Sequence, residues 1–384
     1  MTVRTTLVAA TAVLLSAALA APALAATSTG ADRPTDRHAA TRRAVEAAVA
    51  DGVPGVTLTA RDAHGTWSTT AGVGDMTTGA PRSPEDHYRV ASVTKTFVAT
   101  VLLQLEAEGR LSLDDTVEEW LPGVVRGNGH DGRRITLRHL LNHTSGIYNY
   151  TRDPAFRRTY LEGFLEHRYD TVPPERQIAV AMTHAPDFAP GTDWNYSNTN
   201  YTLAALVVEK ATGRSYGDEI RRRVVAPLGL RSTSLPGTRP TLPAPSSRAY
   251  GKLSEDTTSP TYDVTEFNPS LTYGSGEMIS TSSDLNRFFT ALVRGRLLPP
   301  RQLKEMKTTV KIETDGGPNT SYGLGLIRRR LSCGVQVWGH SGDIFGSSTQ
   351  SVTTADGRHS LTFNFNADWT GNSEAVIEAE FCGR

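Results

Sequence analysis

Residues 92–95 form a Ser-x-x-Lys tetrad, in which a hydroxyl and an amine are three positions apart. On a helix, positions i and i+3 lie on one face, so the amine of Lys95 can reach the hydroxyl of Ser92. The helix dipole and burial would both lower the pKa of Lys95, and a neutral amine can accept a proton from a serine nucleophile. The alternative is a capping serine followed by a solvated lysine. Phe97 and Val98 follow at once, which indicates that Lys95 lies where the helix becomes buried.

The sequence Tyr-Ser-Asn at residues 196–198 is the only Tyr-x-Asn in the chain, and it precedes a helical pattern. The phenol of Tyr196 can relay a proton to a leaving group, and the amide of Asn198 can bind a substrate carbonyl. The alternative is that Asn198 or Thr199 caps the following helix.

A third polar group, His340, Ser341 and Gly342, follows a strand pattern over residues 335–338. Glycine allows a substrate to approach the backbone closely, and exposed N–H groups at a strand edge can stabilise an oxyanion. A second His-x-Gly at residues 130–132 lies among Gly, Asn and Arg residues, so we interpret that copy as a loop.

Periodic hydrophobic patterns predict the elements that must position these groups. Apolar side chains recur every three or four residues after Ser92 and stop before Gly109, which predicts a long, buried helix. Further helices are predicted over residues 37–49, 203–212, 217–225, 283–293 and 373–381. Alternating side chains predict strands over residues 55–61, 66–73, 322–331, 335–338, 350–354 and 361–365.

Strands at both ends of the chain, with helices between them, indicate an α+β fold. We expect the first two strands to join the last three in one antiparallel sheet flanked by helices. Residues 37–384 would then form one catalytic domain, with a mostly helical region at about residues 111–268 inserted in it.

The N-terminus has the features of a secretory signal peptide. Arg4 precedes an apolar stretch over residues 7–19, and small residues lead to an expected cleavage after Ala25. The apolar stretch is too short to span a hydrocarbon core of ~30 Å, so no stable membrane anchor is expected. Residues 1–25 are therefore predicted to be removed, residues 26–36 to be a flexible lead-in, and the mature protein to be secreted.

Charge and cysteine content exclude several classes of function. Lys+Arg and Asp+Glu both number 40, so no basic field exists to bind nucleic acid. Cys333 and Cys382 are an even pair in an exported chain, which predicts a disulfide closing a loop of about 50 residues. Two cysteines are too few for a structural zinc site. We expect a monomeric enzyme without metal or cofactor.

The order of the three polar groups is more specific than any one of them. A Ser-x-x-Lys opens a helix, a Tyr-x-Asn follows about 100 residues later, and a His-x-Gly follows a late strand. With residues 140–146 and 332–334, this order resembles the family of low-molecular-weight penicillin-binding proteins, class C β-lactamases and related esterases. The resemblance covers nearly the whole mature chain. It is closest to the secreted D-alanyl-D-alanine carboxypeptidase/transpeptidases of actinobacteria, which both cysteines also match.

The resemblance implies a role for each group. Ser92 would attack the substrate carbonyl and become acylated, and Lys95 would take its proton, with Tyr196 as an alternative or cooperating base. Asn198 would contact the substrate amide. Water would then release the acyl group, or a peptidoglycan amine would take it in a transpeptidation.

The late-strand residues would bind the substrate. The backbone N–H groups of Ser92 and Asp343 would form the oxyanion hole beside Gly342. His340 would orient the tyrosine and lysine electrostatically, and Ser341 would touch the substrate. The resemblance also implies that β-lactams acylate the protein.

Two departures from the carboxypeptidase pattern concern the substrate carboxylate. The family residue after His-x-Gly is a threonine that helps bind this carboxylate, whereas Asp343 stands here. At ~4 Å and an effective dielectric of ~20, an ionised Asp343 would repel the carboxylate by about 4 kcal/mol before relaxation. Ile327 replaces the carboxylate-binding arginine, and Arg328, one place later on a strand, would face the opposite side.

These observations predict an acyl-serine hydrolase, with a D-alanyl-D-alanine carboxypeptidase or D-peptidase acting on peptidoglycan-type peptides as the first hypothesis. The alternatives on the same fold are an esterase, a D-amino-acid amidase or aminopeptidase, and a β-lactamase. A β-lactam-sensing or wall-binding module would be acylated without turnover. A Ser-His-Asp hydrolase would need Gly-x-Ser-x-Gly at a strand-to-helix turn, and none is predicted.

Overall fold

A computed structural model describes residues 37–254, 256, 258–312 and 319–383. The signal peptide and lead-in predicted for residues 1–25 and 26–36 lie outside these ranges. Within them, none of the helices combines the length and the apolar character needed to cross a bilayer.

An antiparallel sheet of eight strands is the framework of the described residues. Its strands are β1 (Gly55–Asp62), β2 (Gly65–Gly72), β3 (Val310–Lys311), β4 (Thr320–Tyr322), β5 (Ile327–Arg330), β6 (Gln336–Ile344), β7 (Ser347–Thr354) and β8 (Ser360–Phe365). Their order across the sheet is β2-β1-β8-β7-β6-β5-β4-β3, so the first hairpin pairs with the last strand. The predicted α+β class and antiparallel sheet are confirmed.

Seven helices of eight or more residues lie in the described ranges. They are α1 (Ala39–Ala50), α2 (Thr94–Ala107), α3 (Pro174–Met182), α4 (Asn198–Thr212), α5 (Ser282–Val293), α6 (Pro300–Lys307) and α7 (Ser373–Cys382). A further helical segment runs from Tyr216–Ile220 through Arg221–Val225 to Ala226–Leu228. Shorter helical turns and three pairs of two-residue strands account for the remaining regular structure.

Side chains of β1 alternate between the two faces of the sheet, as the period of two requires. Val56, Leu58 and Ala60 are fully buried in a cluster with apolar residues of α1 and α7. On the other face, the side-chain amide of Asn286 in α5 donates a hydrogen bond to the Thr59 carbonyl. Helices therefore cover both faces.

Helix α2 is the central helix of the larger core. Eleven of its residues are buried, and this includes polar residues of its first turn. Phe97 stacks on Phe288 of α5 with ring centroids 3.7 Å apart. Because α2 packs on almost every side, its N-terminus is fixed relative to the sheet.

The segment 322–331 was predicted as one strand, and this prediction was wrong. The structure has two strands, β4 and β5, joined by a tight turn. Gly325 adopts a φ of +67°, and a Cβ on Gly323 would lie 2.2 Å from the Met306 carbonyl oxygen. Two glycines thus allow a reversal that the alternation of side chains did not reveal.

The strand predicted over residues 335–338 continues to Ile344 as β6. His340, Ser341 and Gly342 consequently lie within this strand rather than after it. Cys333 and Cys382 are bonded as a disulfide, which joins the turn between β5 and β6 to the end of α7.

Candidate active site

Ser92 lies in a single 3-10 turn, Ala91–Val93, that leads directly into α2. Ala91 has a φ of +47°, in the left-handed region that residues with a Cβ seldom adopt. Such strain persists only where the surrounding packing fixes the backbone. The helix predicted from Ser92 thus begins two residues later, and Ser92 occupies a bend at its head.

The amine of Lys95 is completely buried and makes three hydrogen bonds. Nζ donates to the hydroxyl oxygen of Ser92 at 3.0 Å, to Oδ1 of Asn198 at 2.7 Å and to the Ser275 carbonyl at 2.8 Å. All three acceptors are neutral, and burial lowers the pKa of Lys95 well below its usual value. In its neutral form the amine keeps two N–H donors, for Asn198 and the Ser275 carbonyl, and its lone pair accepts from the Ser92 hydroxyl, whose proton it can take.

Tyr196 brings its phenol ring to the same place. Its ring centroid lies 4.8 Å from Nζ of Lys95, and it lines one pocket together with Ser92 and Asn198. Three segments that are distant in sequence therefore bring a hydroxyl, an amine and a phenol together.

Asn198 is the first residue of α4, but it does not cap the helix. The N-cap position is Ser197, whose side chain makes no capping hydrogen bond. The Asn198 side chain instead accepts from Lys95 and donates to the Thr151 hydroxyl at 3.4 Å. The capping alternative is wrong for this residue, because its amide belongs to the Lys95 hydrogen-bond network.

His340 is buried and neutral. Its Nδ1 lies 2.5 Å from the Ser341 carbonyl, which can only accept, so Nδ1 carries the proton. Nε2 therefore accepts from the Tyr322 hydroxyl at 2.8 Å. Burial, with smaller effects of Lys95 and Arg329, lowers the pKa of His340 to about 3. The imidazole acts on the site as a dipole and not as a charge.

Gly342 lets the Ser92 turn pack directly on β6. A Cβ at this position would lie 2.3 Å from the Val90 carbonyl oxygen and 2.7 Å from the Ser92 nitrogen. Strand β5 pairs with β6 only as far as Gly339, and none of the described strands pairs with the rest of that edge of β6. The Ser92 backbone therefore lies directly against β6.

The pocket at Ser92 has a volume of about 390 Å³. It is lined by Ser92, Trp194, Tyr196, Asn198, Ile312, Thr320, Tyr322, Ile327, Arg329, His340, Ser341, Gly342 and Asp343. Every residue predicted to bind substrate or to carry catalysis lines this pocket, except Lys95, which lies behind Ser92.

The pocket wall carries a cation that the sequence interpretation missed. Alternate residues of a strand share a face, so Arg329 lines the pocket beside Ile327 whereas Arg328 does not. Arg329 forms an ion pair with Glu374 at 3.3 Å. Desolvation raises the pKa of Asp343, and Arg329 opposes this shift. The period of two along a strand is the sequence signal that places Arg329 on the same face as Ile327.

His143 packs behind Tyr196, and nothing in the sequence apart from its place in residues 140–146 indicates this role. It has a φ of +63°, and its ring centroid lies 4.2 Å from that of Tyr196. Nδ1 accepts hydrogen bonds from the Ser197 N–H and the Asn200 amide, both at 3.2 Å. Burial holds the pKa of His143 well below its usual value, so the ring is neutral.

Other chemistries find no support in the described residues. No group of three His, Cys, Asp or Glu side chains in the described ranges is placed to hold a metal ion. Residues 213–217 read Gly-Arg-Ser-Tyr-Gly, but they join two helices, and Ser215 caps the second of these. This is not the strand-to-helix turn of a Ser-His-Asp hydrolase.

The antiparallel sheet, the serine at the head of α2 and the buried lysine together define a serine hydrolase with the β-lactamase and penicillin-binding protein fold. The chain belongs to the Beta-lactamase family, whose pattern it matches over residues 41–376.

Similar proteins include an amidohydrolase, an amidase and a penicillin-binding protein. The structure of a D-stereospecific amidohydrolase from Streptomyces sp. is 60% identical, with a TM-score of 0.86 over 90% of this chain and 99% of that one. A D-amino acid amidase from Ochrobactrum anthropi is 28% identical, with a TM-score of 0.78 over 91% and 100%. A penicillin-binding protein of Bacillus subtilis is 29% identical over 80% of this chain and 67% of its own length.

Replacing Gly342 by alanine should impair the site directly. The added Cβ would displace the Ser92 turn, because the atoms that it meets belong to the backbone. We expect kcat/KM to fall by about 100-fold or more, measured on any substrate that the wild type cleaves. Gly217→Ala is the control, because a Cβ there meets only the Leu235 side chain at 3.4 Å. Equal activity of the two variants would contradict this account.

Proposed function

We propose that the protein cleaves amide bonds of D-configured amino-acid derivatives through an acyl-enzyme formed on Ser92. The observation that carries the proposal is the 3.0 Å contact between the Ser92 hydroxyl and a buried lysine that has only neutral hydrogen-bond partners. The preference for amides over carboxylates is supported by the charges of the pocket. The preference for the D-configuration is supported by the 60% identity to a D-stereospecific amidohydrolase.

Acylation begins with transfer of the Ser92 proton to neutral Lys95. Oγ then bonds to the carbonyl carbon, and the negative oxygen is held by the N–H groups of Ser92 and Asp343. Collapse of this intermediate breaks the carbon–nitrogen bond. The leaving nitrogen takes a proton from Tyr196, which is replenished from Lys95. Water repeats the sequence on the ester and releases the acid.

The remaining pocket residues position the substrate. The Asn198 side chain lies on the path between Lys95 and the substrate amide, and Ser341 offers a hydroxyl from β6. His340 acts through Tyr322, because its Nε2 accepts a hydrogen bond from the Tyr322 hydroxyl. These three residues are positioning or binding groups and exchange no proton with the substrate.

Charges in the pocket favour a substrate without a carboxylate at this end. Arg329 is the cation, but it already lies between Glu374, its ion-pair partner, and Asp343. Two carboxylates face one guanidinium, so an additional substrate carboxylate would meet net negative charge. A neutral amide, or a substrate with a free amine, would not.

An adjoining cavity of about 310 Å³ can accept the substrate side chain. It shares Asn198 and Asp343 with the Ser92 pocket, and Phe156, Tyr160 and Phe345 form its aromatic wall. An apolar or aromatic side chain on the acyl group would bury its surface there.

A D-alanyl-D-alanine carboxypeptidase is the second candidate, and one observation favours it. Arg329 faces the pocket two positions after Ile327 and could pair with a terminal carboxylate if Asp343 were protonated. Esters and β-lactams would use the same acyl-enzyme chemistry, and a 34% identical stretch of 194 residues in an esterase of Burkholderia gladioli agrees with this range.

Acylation of Ser92 can be observed directly with a fluorescent penicillin. We expect one equivalent of label on the wild type, located on Ser92 by mass spectrometry of peptides. Ser92→Ala should remain unlabelled. Ser341→Ala, which removes the other serine hydroxyl of the pocket, should still be labelled. Label on the Ser92→Ala protein would refute the nucleophile.

Substitution Asp343→Asn separates the two candidate functions. It removes one negative charge and leaves the side-chain size almost unchanged, so substrates with a carboxylate should gain most. We expect kcat/KM for an acyl-D-Ala-D-Ala peptide to rise about tenfold or more relative to that for D-phenylalanine amide.

The same measurement identifies the native substrate class. If the wild type cleaves D-phenylalanine amide faster than acyl-D-Ala-D-Ala, the first candidate is supported. A wild type that prefers acyl-D-Ala-D-Ala, together with no change of preference in Asp343→Asn, would favour the carboxypeptidase.

A further inference from the structure

A second cavity, with a volume of about 600 Å³, is larger than the Ser92 pocket and shares no lining residue with it. Its walls come from residues 171–174, the end of α4, the helix at Tyr216–Ile220 and residues 233–238 and 270–277. Apolar surface from Val172, Leu235 and the ring of Tyr216 forms much of the lining. No step of the proposed reaction uses this cavity.

Glu277 is the unusual residue of this cavity. It is 4% exposed and lines the cavity, and the nearby Gly274 N–H donates to the Tyr216 hydroxyl at 3.1 Å. No lysine or arginine in the described ranges forms an ion pair with Glu277, and the charged group that acts on it is Glu209. A buried carboxylate without a cation is costly unless it is protonated or a ligand supplies the charge.

Glu209 is another carboxylate of the cavity, and it has hydrogen-bond partners. It accepts from the Tyr216 N–H at 3.1 Å, and the Tyr273 side chain is hydrogen bonded to it. The rings of Tyr216 and Tyr273 meet edge to face with centroids 4.8 Å apart. The cavity thus joins one uncompensated carboxylate to apolar and aromatic walls, which are the features that bind an organic cation.

We propose that this cavity binds a small organic monocation, an amidinium or ammonium group carried on an apolar body, with Glu277 as its anionic partner. A planar amidinium can donate two parallel hydrogen bonds to the carboxylate. The apolar body replaces water against the aromatic wall. A neutral ligand of the same shape leaves the charge of Glu277 uncompensated and binds less well.

Ionisation of Glu277 determines how this binding depends on pH. Burial and the neighbouring Glu209 raise the pKa of Glu277 to about 8. The titratable groups around Glu277 are Glu209 on α4, Tyr216 on the next helix, Tyr150, and Tyr273 on its own segment, with Asp218 and Arg221 elsewhere on the cavity wall. Below its pKa the carboxyl must lose a proton when a cation binds, so affinity rises as the pH increases towards 8.

The test measures binding of benzamidinium by calorimetry, with benzamide as the neutral isostere. Benzamidinium keeps its charge from pH 6 to pH 8.5, so only the protein titrates. We expect the dissociation constant at pH 8 to be at least about tenfold lower than at pH 6 and lower than that of benzamide. Glu277→Gln should weaken binding at pH 8 about tenfold or more and remove the dependence on pH.

Two matched variants locate the site. Glu166→Gln removes an exposed carboxylate of the same type, and Asp343→Asn removes the carboxylate of the Ser92 pocket. Both should bind benzamidinium as the wild type does. The wild-type comparison of pH 6 with pH 8 tests the proposal even if Glu277→Gln does not fold.

Three outcomes would overturn the proposal. These are equal affinity of the wild type and Glu277→Gln, affinity for benzamide equal to that for benzamidinium, and an affinity that does not change from pH 6 to pH 8. Loss of binding in Asp343→Asn but not in Glu277→Gln would place the cation in the Ser92 pocket and would equally contradict it.

Discussion

The arrangement of this protein depends on keeping one lysine amine in a dry interior without a counter-charge. Lys95 is completely buried and its three oxygen partners are all neutral, so the cost of desolvating an ammonium favours the uncharged amine. An adjacent carboxylate would restore the ammonium and remove the base. The surrounding side chains meet this requirement. His340 and His143 are both neutral, and each accepts hydrogen bonds on one ring nitrogen without adding a charge to the site.

Two features of the framework hold this amine beside its serine. Burial of α2 on nearly all sides fixes the end of the helix, and the left-handed Ala91 turns the chain so that Ser92 faces the pocket. Strand β6 then reaches the Ser92 backbone at Gly342, where any side chain would collide. Backbone contact between the head of α2 and β6 therefore fixes the position of Ser92, and the surrounding side chains determine the charge and shape of the pocket.

Much of this could be predicted from the sequence where a local pattern decides the structure. The periodicity after Ser92 indicates the buried helix, and the alternation in β1 and β2 indicates a hairpin; both are confirmed. The turn at Gly323 and Gly325 was missed, because Tyr322, Leu324 and Leu326 alternate with the two glycines as the residues of a single strand would.

The remaining errors have a different cause, because they concern contacts between distant segments. Asn198 has the position of a helix cap, and only the approach of Lys95 shows that its amide is used otherwise. Arg329 reaches the pocket through a strand register that depends on β6. Glu277 looks like an ordinary polar residue in the sequence, and only the structure shows that it is buried without an ion-pair partner among the described residues.

The most direct test of this account is an NMR titration of protein labelled with ¹³C at the lysine Cε positions. The chain has six lysines, and Lys95→Met assigns the relevant signal by its loss. The account predicts that the Lys95 signal moves at a pH far below the ordinary lysine pKa of 10.5. A Lys95 signal that titrates together with the exposed lysines would contradict it.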